Sequence, residues 1–373
     1  MSDSTEDIST LPLEINYIPD YIYEKYKDKL NFFHENKENY MQELKKLLQG
    51  DKLSENIDFE EDFLQLYLMQ CKYDTTEAFS KIRNYLKLRR DYSFFYERIK
   101  FDFTSHPSCQ VLTPLPHRLS DGSVIFLYEI DGRCLPAFVH STQEILVLKE
   151  KLSTPPSIRN LINIQWCGDN NHKWSYLFTQ PSRDHECATA ITRVLRPESQ
   201  RLSPTTDRPL LYHPISGKWN PEEISLETIE KILFMCLQQQ LRHPLTQISG
   251  IQIIHDFTNT RFEHLKYCTL KNICLLNHIS FEVLPIKFAG FHVVNGSYLF
   301  NLVLTLSRPF LPDYFSKILY VHSSVDELFD YFPKSAIPAK YGGTLTDYYM
   351  ADWFKKANEE QDNFPIGGQK NFL

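Results

Sequence analysis

The sequence predicts an α/β chain in which an N-terminal helical bundle precedes a mixed sheet with helices packed on it. Apolar residues recur at helical spacing through residues 20–100, and beyond residue 217 short strand patterns alternate with helical patterns. A long segment between these two parts, residues 133–216, has little regular period. The 373 residues, 42% of them hydrophobic, are enough to bury a sizeable core.

The helical region is predicted over residues 20–105, after a flexible N-terminus at 1–19. Thr75 or Thr76 is the expected N-cap of its clearest helix. Six apolar residues then recur on one helical face: Ala78, Phe79, Ile82, Tyr85, Leu86 and Leu88. Such a face predicts helices packed against one another.

Strand signals begin after residue 111. Leu115-Pro116 and residues 120–122 are typical of turns, and residues 124–130 form an apolar strand pattern. Beyond residue 217 the predicted strands are 251–256, 289–295 and 318–322, and the predicted helices are 224–241, 262–279 and 298–306. This alternation predicts a sheet covered by helices.

Residues 133–216 interrupt the strand and helix pattern. A structureless segment of this length is unusual inside a compact domain, so we interpret it as an irregular insertion, either a surface insertion or a gene-model artefact such as translated intron. A zinc site is the alternative, because thiolates and imidazoles ligate zinc. The four candidate ligands are Cys167, His172, His185 and Cys187. Their spacing matches no standard zinc pattern, so no metal is predicted.

Composition excludes several classes of function. A formal charge of −7 argues against nucleic-acid binding, which depends on many Lys and Arg. Residues 1–10 lack a signal-peptide core, and no run is long enough to span a membrane, so a cytoplasmic protein is expected. The eight cysteines show no tight framework and are expected to be free.

An apolar helical pattern at 298–306 lies between two predicted strands, and the segment Ile-Pro-Ala-Lys-Tyr-Gly-Gly follows at 337–343. This arrangement favours a lid over a cavity rather than a catalytic loop.

These motifs resemble the CRAL-TRIO lipid-binding family. Its N-terminal helical part is matched at residues 62–64, 72–74 and 85–89, and its lipid-binding domain is matched in order at 121–128, 217–221, 246–256, 285–295, 308–311 and 337–343. The resemblance covers roughly residues 55–132 and 217–345. It is greatest to the branch of tocopherol-transfer, clavesin and retinaldehyde-binding proteins.

The resemblance implies a lipid-binding domain over 106–132 and 217–345, followed by a C-terminal tail at 346–373. Strand alternation places Ile251, Ile253 and His255 on one face, and Phe291 and Val293 on one face of the next strand. The family's cavity positions add Tyr128, Leu233, Leu237, Phe262, Cys268, Ile279 and Ile286. The expected lid residues are Phe300, Val303, Leu304, Ser307, Phe310 and Leu311.

Two histidines lie on the same pair of strands. His255 either hydrogen-bonds a ligand hydroxyl or carbonyl or is a satisfied core histidine. His292 is expected to point to the opposite face. Leu233 and Leu237 stand where tocopherol-type relatives carry small hydroxyl residues, which implies a more apolar cavity.

Relatives in this branch hold a phosphoinositide headgroup with several basic residues. Lys287 keeps one such position here, and Lys317 and Arg308 compensate in part. Ala289, Tyr314 and Ile318 replace basic residues, and Met69 and Cys71 replace an Arg pair. Weak phosphoinositide binding is therefore expected.

No hydrolase elbow, metalloprotease motif or phosphate loop occurs in the sequence, and an enzyme is not expected. We predict a monomeric protein that associates transiently with membranes and needs no cofactor. It binds one hydrophobic small molecule or lipid and transfers it between membranes. The alternative is a non-transferring interaction module.

Overall fold

The computed structural model describes residues 10–100, 102–104, 110–129, 225–258, 260, 267, 269–296 and 298–361, except for the side chains of 28–35, 298 and 299. These residues form a six-stranded mixed sheet with helices, which confirms the predicted α/β class. The predicted insertion at 133–216 and its four zinc-type residues lie outside this description, so the proposed domain boundaries stay a prediction.

The strands are β1 (Thr10–Pro12), β2 (Leu112–Leu119), β3 (Val124–Glu129), β4 (Ile251–Asp256), β5 (Phe288–Val294) and β6 (Leu319–Val321). The α-helices are α1 (Asp20–Gln49), α2 (Glu61–Gln70), α3 (Thr75–Asp91), α4 (Leu226–Leu241), α5 (Pro244–Ser249), α6 (Leu270–Asn277), α7 (Tyr298–Ser307) and α8 (Ala351–Glu359). A π-helix, His278–Val283, continues α6.

The six strands lie side by side in sequence order. β1, β2 and β3 pair antiparallel, whereas β3, β4, β5 and β6 pair parallel. Parallel neighbours need crossover connections. The connection from β3 to β4 contains α4 and α5, the connection from β4 to β5 contains α6, and the connection from β5 to β6 contains α7. Strands covered on both faces have continuous apolar runs. β3 fits this rule, because only Tyr128 among its six residues is not buried.

The helical bundle consists of α1, α2 and α3. The N-cap of α3 is Asp74, whose side chain accepts a hydrogen bond from the Glu77 amide at 2.9 Å. The prediction of Thr75 or Thr76 as the cap was wrong, because an Asx residue directly before the helix takes this role. Ala78, Ile82 and Tyr85 are buried on the expected face.

Three side chains of the bundle hold the π-helix. The Tyr67 hydroxyl donates to the Val283 carbonyl at 3.1 Å, and Lys81 Nζ donates to the Phe281 carbonyl at 2.8 Å. Asn84 Nδ2 donates to the carbonyl of Glu282 at 3.3 Å. Carbonyls at a helix end need such partners. The bundle therefore satisfies the C-terminal carbonyls of an element that belongs to the sheet region.

The prediction of a flexible segment over residues 1–19 is wrong for its described part. Thr10–Pro12 pairs with β2, and Leu11 and Leu13 are buried. Arg118, fully buried, donates from Nε to the Leu13 carbonyl at 2.7 Å. The short strand escaped prediction because three residues with a terminal proline carry almost no strand signal.

The predicted C-terminal tail also contains ordered structure. Helix α8 buries Trp353, Phe354 and Ala357. Trp353 Nε1 donates to Glu14 Oε1 at 3.0 Å, which joins the two ends of the described chain. Hydrogen bonding from His243 is the main cause that lowers the pKa of Glu14 to about 2, so this carboxylate is ionised at neutral pH.

The prediction of a turn at Leu115-Pro116 is wrong, because both residues lie within β2. The pairing of β2 with β3 shifts register between Pro114 and Arg118. Prolines lack the amide that a sheet ladder requires and are tolerated at such irregularities. The turn signal at 120–122 is correct, and Gly122 has a φ of 87°.

The segment at 337–343 fastens the carboxyl ends of two strands. The Tyr341 hydroxyl lies 2.8 Å from Glu129 Oε1 and 2.6 Å from Asp256 Oδ2. Lys340 Nζ also pairs with Glu129. The second glycine of the pair, Gly343, is needed because a Cβ there would collide with the Ile337 carbonyl.

Candidate ligand-binding site

One face of the central strands forms the candidate binding wall. The backbone register places Phe126, Ile253 and Phe291 side by side, and Tyr128, His255 and Val293 form the next row. Alternation along each strand gives these six side chains a common face. The opposite face, with Ile254 among its members, packs on residues 325–345.

Most predicted cavity residues meet in the main core cluster. Four of the predicted residues are buried members of this cluster. Leu237 lies on α4, Ile253 on β4, Ile279 on the π-helix and Ile286 in the loop before β5. Ile251 is also buried there. Tyr128, Leu233 and Phe291 are only partly buried and pack against this cluster. Phe262 and Cys268 lie outside the described residues.

The predicted lid helix, α7, lies against this wall. Phe300 is buried in a cluster with Phe257 and Val293, and Leu304 packs against the same cluster. The Phe257 and Phe300 ring centres are 5.0 Å apart. Asn301, Thr305 and Leu306 are exposed on the other side of the helix. Val303 and Ser307 are partly buried, as their helical spacing with Phe300 and Leu304 predicts.

The segment that follows α7 adds aromatic residues to the candidate binding wall. Phe315, in the 3₁₀ helix Asp313–Lys317, lies 4.9 Å from Phe291 between ring centres and 5.9 Å from Phe281. Phe288 stands between Phe281 and Phe291, at 5.5 and 5.0 Å. Leu311 packs against the same core, and Phe310 is partly buried at the end of Arg308–Phe310.

Sequence reasoning did not select Phe257, Phe281, Phe288 or Phe315. Phe257 continues the alternation of His255 by two residues, so its position was predictable. Phe288 was not, because the register between β4 and β5 shifts after the pair Ile251–Phe288. This irregularity brings Phe288 next to Phe291, although an odd spacing predicts opposite faces.

His292 points away from the binding wall, as alternation predicts. Its Nδ1 lies 3.1 Å from His322 Nε2, and its Nε2 lies 3.3 Å from Gln252 Oε1. Burial lowers the pKa of His292 to about 3, so this pair is neutral at physiological pH. His292 therefore belongs to a satisfied polar group behind the sheet.

The three predicted headgroup residues, Lys287, Arg308 and Lys317, are exposed. Lys287 Nζ donates to the Ile248 carbonyl at 2.9 Å and lies 5.6 Å from the centre of the Tyr26 ring. Tyr314 occupies a position at which the resemblance led us to expect a basic residue. Its pKa is raised by burial and by the nearby carboxylates Glu282 and Glu77. Glu282 and Glu77 therefore lie close enough to Tyr314 to act on its hydroxyl electrostatically.

Among the described residues, no helix combines the length and apolar character that a bilayer crossing requires.

Comparison with known proteins finds a domain match over part of the chain. The model of the CRAL/TRIO domain matches residues 205–343. This range contains α4, β4, β5, α7 and the Tyr341 segment, and it begins inside the region that we interpreted as an insertion.

The related proteins align over the same length. Clavesin-1 of Rattus norvegicus is 27% identical over 139 residues, which cover 37% of this chain and 39% of the relative. Clavesin-2 of Homo sapiens is 24% identical over 139 residues, with 42% of the relative covered. The chain thus spans about two fifths of the length of the curated relatives it matches.

The crystal structure of Sfh5 aligns with a TM-score of 0.38 and 10% sequence identity, and covers 78% of this chain and 74% of that one. A similarity this low carries no argument. Residues 205–343 of the chain thus match the CRAL/TRIO domain, and the clavesins are similar to it over a segment of the same length.

Proposed function

We propose that this protein binds one hydrophobic small molecule or lipid between the sheet and helix α7, and transfers it between membranes as α7 opens. The observation that carries the proposal is the aromatic and aliphatic wall under α7. Tyr128, His255 and Phe291 lie on the sheet face whose Val293 contacts α7, and each stays partly accessible to water. Apolar walls with few polar groups are typical of small-molecule sites.

The packing of α7 supports its role as a lid. Among its described side chains, Phe300 and Leu304 contact the wall, and the outward face includes the exposed Leu306 (42%). Single exposed apolar residues are normal, so the support for a lid comes from the inward contacts of Phe300 and Leu304. We propose a cytoplasmic protein that meets membranes transiently and makes or breaks no covalent bond.

Mass spectrometry tests this proposal directly. The full chain is incubated with a cellular lipid extract, repurified and extracted with organic solvent. We expect one hydrophobic species at close to one molecule per chain. Absence of any retained lipid from a protein that remains folded would contradict the proposal and favour an interaction module.

We further propose that phosphoinositide binding is weak. Lys287 is already engaged by the Ile248 carbonyl, and the expected Arg pair is replaced by Met69 and the buried Cys71. Each basic residue near an anionic surface contributes about 1 kcal/mol.

Vesicle cosedimentation measures the strength of phosphoinositide binding. Adding phosphatidylinositol bisphosphate to phosphatidylcholine vesicles is expected to raise binding by less than about tenfold, which corresponds to one or two basic contacts. Lys287→Ala should lower binding by less than about fivefold, and Lys355→Ala, on the exposed face of α8, is the matched control. A larger enhancement that Lys287→Ala removes would show a dedicated headgroup site.

A further inference from the structure

His255 differs in chemistry from the rest of the binding wall. It is the last residue but one of β4, and its ring centre lies 5.0 Å from that of Tyr128, 6.0 Å from Phe257 and 6.3 Å from Phe291. The next wall residue along the strand, Ile253, is apolar and buried. An imidazole thus stands among three aromatic rings at one end of an apolar surface.

The polar atoms of this ring are available. A neutral imidazole has one donor and one acceptor, and within the described part of the chain His255 makes no hydrogen bond. Protein atoms surround the ring closely enough that desolvation lowers its pKa to about 4, although part of it stays accessible to water. Polar groups in such surroundings usually have a partner. The ring is therefore neutral and able to bind one.

The charged groups nearest in sequence do not face the wall. Glu129 and Asp256 end β3 and β4, and the Tyr341 hydroxyl contacts both carboxylates on the opposite side of the sheet. Asp256 also accepts from Asn295 Nδ2 at 2.9 Å and from the Thr258 amide at 2.9 Å. Neither acid is thus placed to meet a charged ligand group beside His255.

The two ends of the binding wall differ in accessibility. His255 lies at the carboxyl ends of the parallel strands, where ligands of α/β sheets commonly bind. Toward the amino ends of the strands, Ile253, Ile251 and Phe288, the partner of Ile251 on β5, are covered by protein. The accessible side chains Tyr128, His255 and Phe291 therefore mark the part of the wall that an apolar ligand can contact.

We propose, on the basis of the proposed function, that His255 is the polar anchor of the site. Its ligand is an uncharged apolar molecule that ends in one hydroxyl or carbonyl group. The polar end hydrogen-bonds the imidazole, and the apolar part lies against the accessible rings of Tyr128 and Phe291. The site thus selects single-headed apolar molecules over phospholipids and over fatty acids in their ionised form.

Competitive retention tests the anchor. The full chain is incubated with phosphatidylcholine vesicles that contain equal amounts of octadecan-1-ol, octadecane and octadecanoate, and retained molecules are quantified by mass spectrometry. We expect octadecan-1-ol to exceed each of the others, and the phospholipid itself, by more than about tenfold. His255→Phe, which keeps an aromatic ring, should make the alcohol and the alkane equal.

Two further variants complete the design. His255→Gln keeps a donor and an acceptor and should restore most of the alcohol preference, whereas His117→Phe, on β2 two strands away, should leave it unchanged. Equal retention of alcohol and alkane by the native protein, or a preference unaffected by His255→Phe, would overturn the anchor while leaving lipid binding intact. Preferred retention of octadecanoate or phospholipid would overturn the ligand class. Failure to retain any probe would instead reject the proposed function.

Discussion

Val303→Asp is expected to abolish retention of a hydrophobic molecule by a protein that remains folded. Val303 is a partly buried residue of α7, on the helical face that includes the wall contacts Phe300 and Leu304. Burying an unpaired carboxylate costs several kcal/mol. Since about 1.4 kcal/mol corresponds to tenfold in affinity, we expect a loss of more than about a hundredfold.

Thr305→Asp is the matched control, because it places the same charge on the exposed face of the same helix. Retained lipid is measured by mass spectrometry, and folding by circular dichroism. The control is expected to retain lipid normally. Equal retention by the two variants would show that the face with Phe300 and Leu304 does not cover the ligand.

Phe354→Ala is expected to lower the free energy of unfolding by about 3–5 kcal/mol. Phe354 is fully buried in α8, with its ring 5.8 Å from that of Phe103 and 5.5 Å from that of Tyr349 between centres. Removing the ring leaves a cavity in the main core cluster. Denaturation in urea measures the change through the midpoint at constant slope.

Lys355→Ala is the neighbouring control. Lys355 is exposed and pairs with Asp352 at 3.7 Å, a surface ion pair of the kind that contributes at most about 1 kcal/mol. If Phe354→Ala destabilised the protein no more than this control, α8 would be a peripheral appendage. The expected difference instead makes α8 part of the core, although it lies beyond the matched domain.

The parts of the fold that sequence reasoning predicted are those with a strong local period. β4 was predicted at its observed bounds, because six residues with apolar flanks and a preceding glycine mark it clearly. Alternation also assigned His255 and His292 to opposite faces of the sheet. Helix α7 was predicted to within one residue.

The parts that were missed depend on distant contacts. Pro114 and Pro116 indicate a turn locally, yet pairing with β3 keeps them in a strand. The engagement of Lys287 by Ile248 joins residues 39 apart, and no local pattern predicts it. Phe288 reaches the wall through a register shift, which the sequence of β5 alone does not indicate.

The hydrogen bonds between the helical bundle and the π-helix have a consequence for synthesis on the ribosome. The carbonyls that accept from Tyr67, Lys81 and Asn84 lie 198 to 216 residues later in the chain. At roughly 5–20 residues per second, about 10–40 s pass before these acceptors are made. During that interval the donors of α2 and α3 face water, and the bundle completes its packing only once the sheet region has been translated.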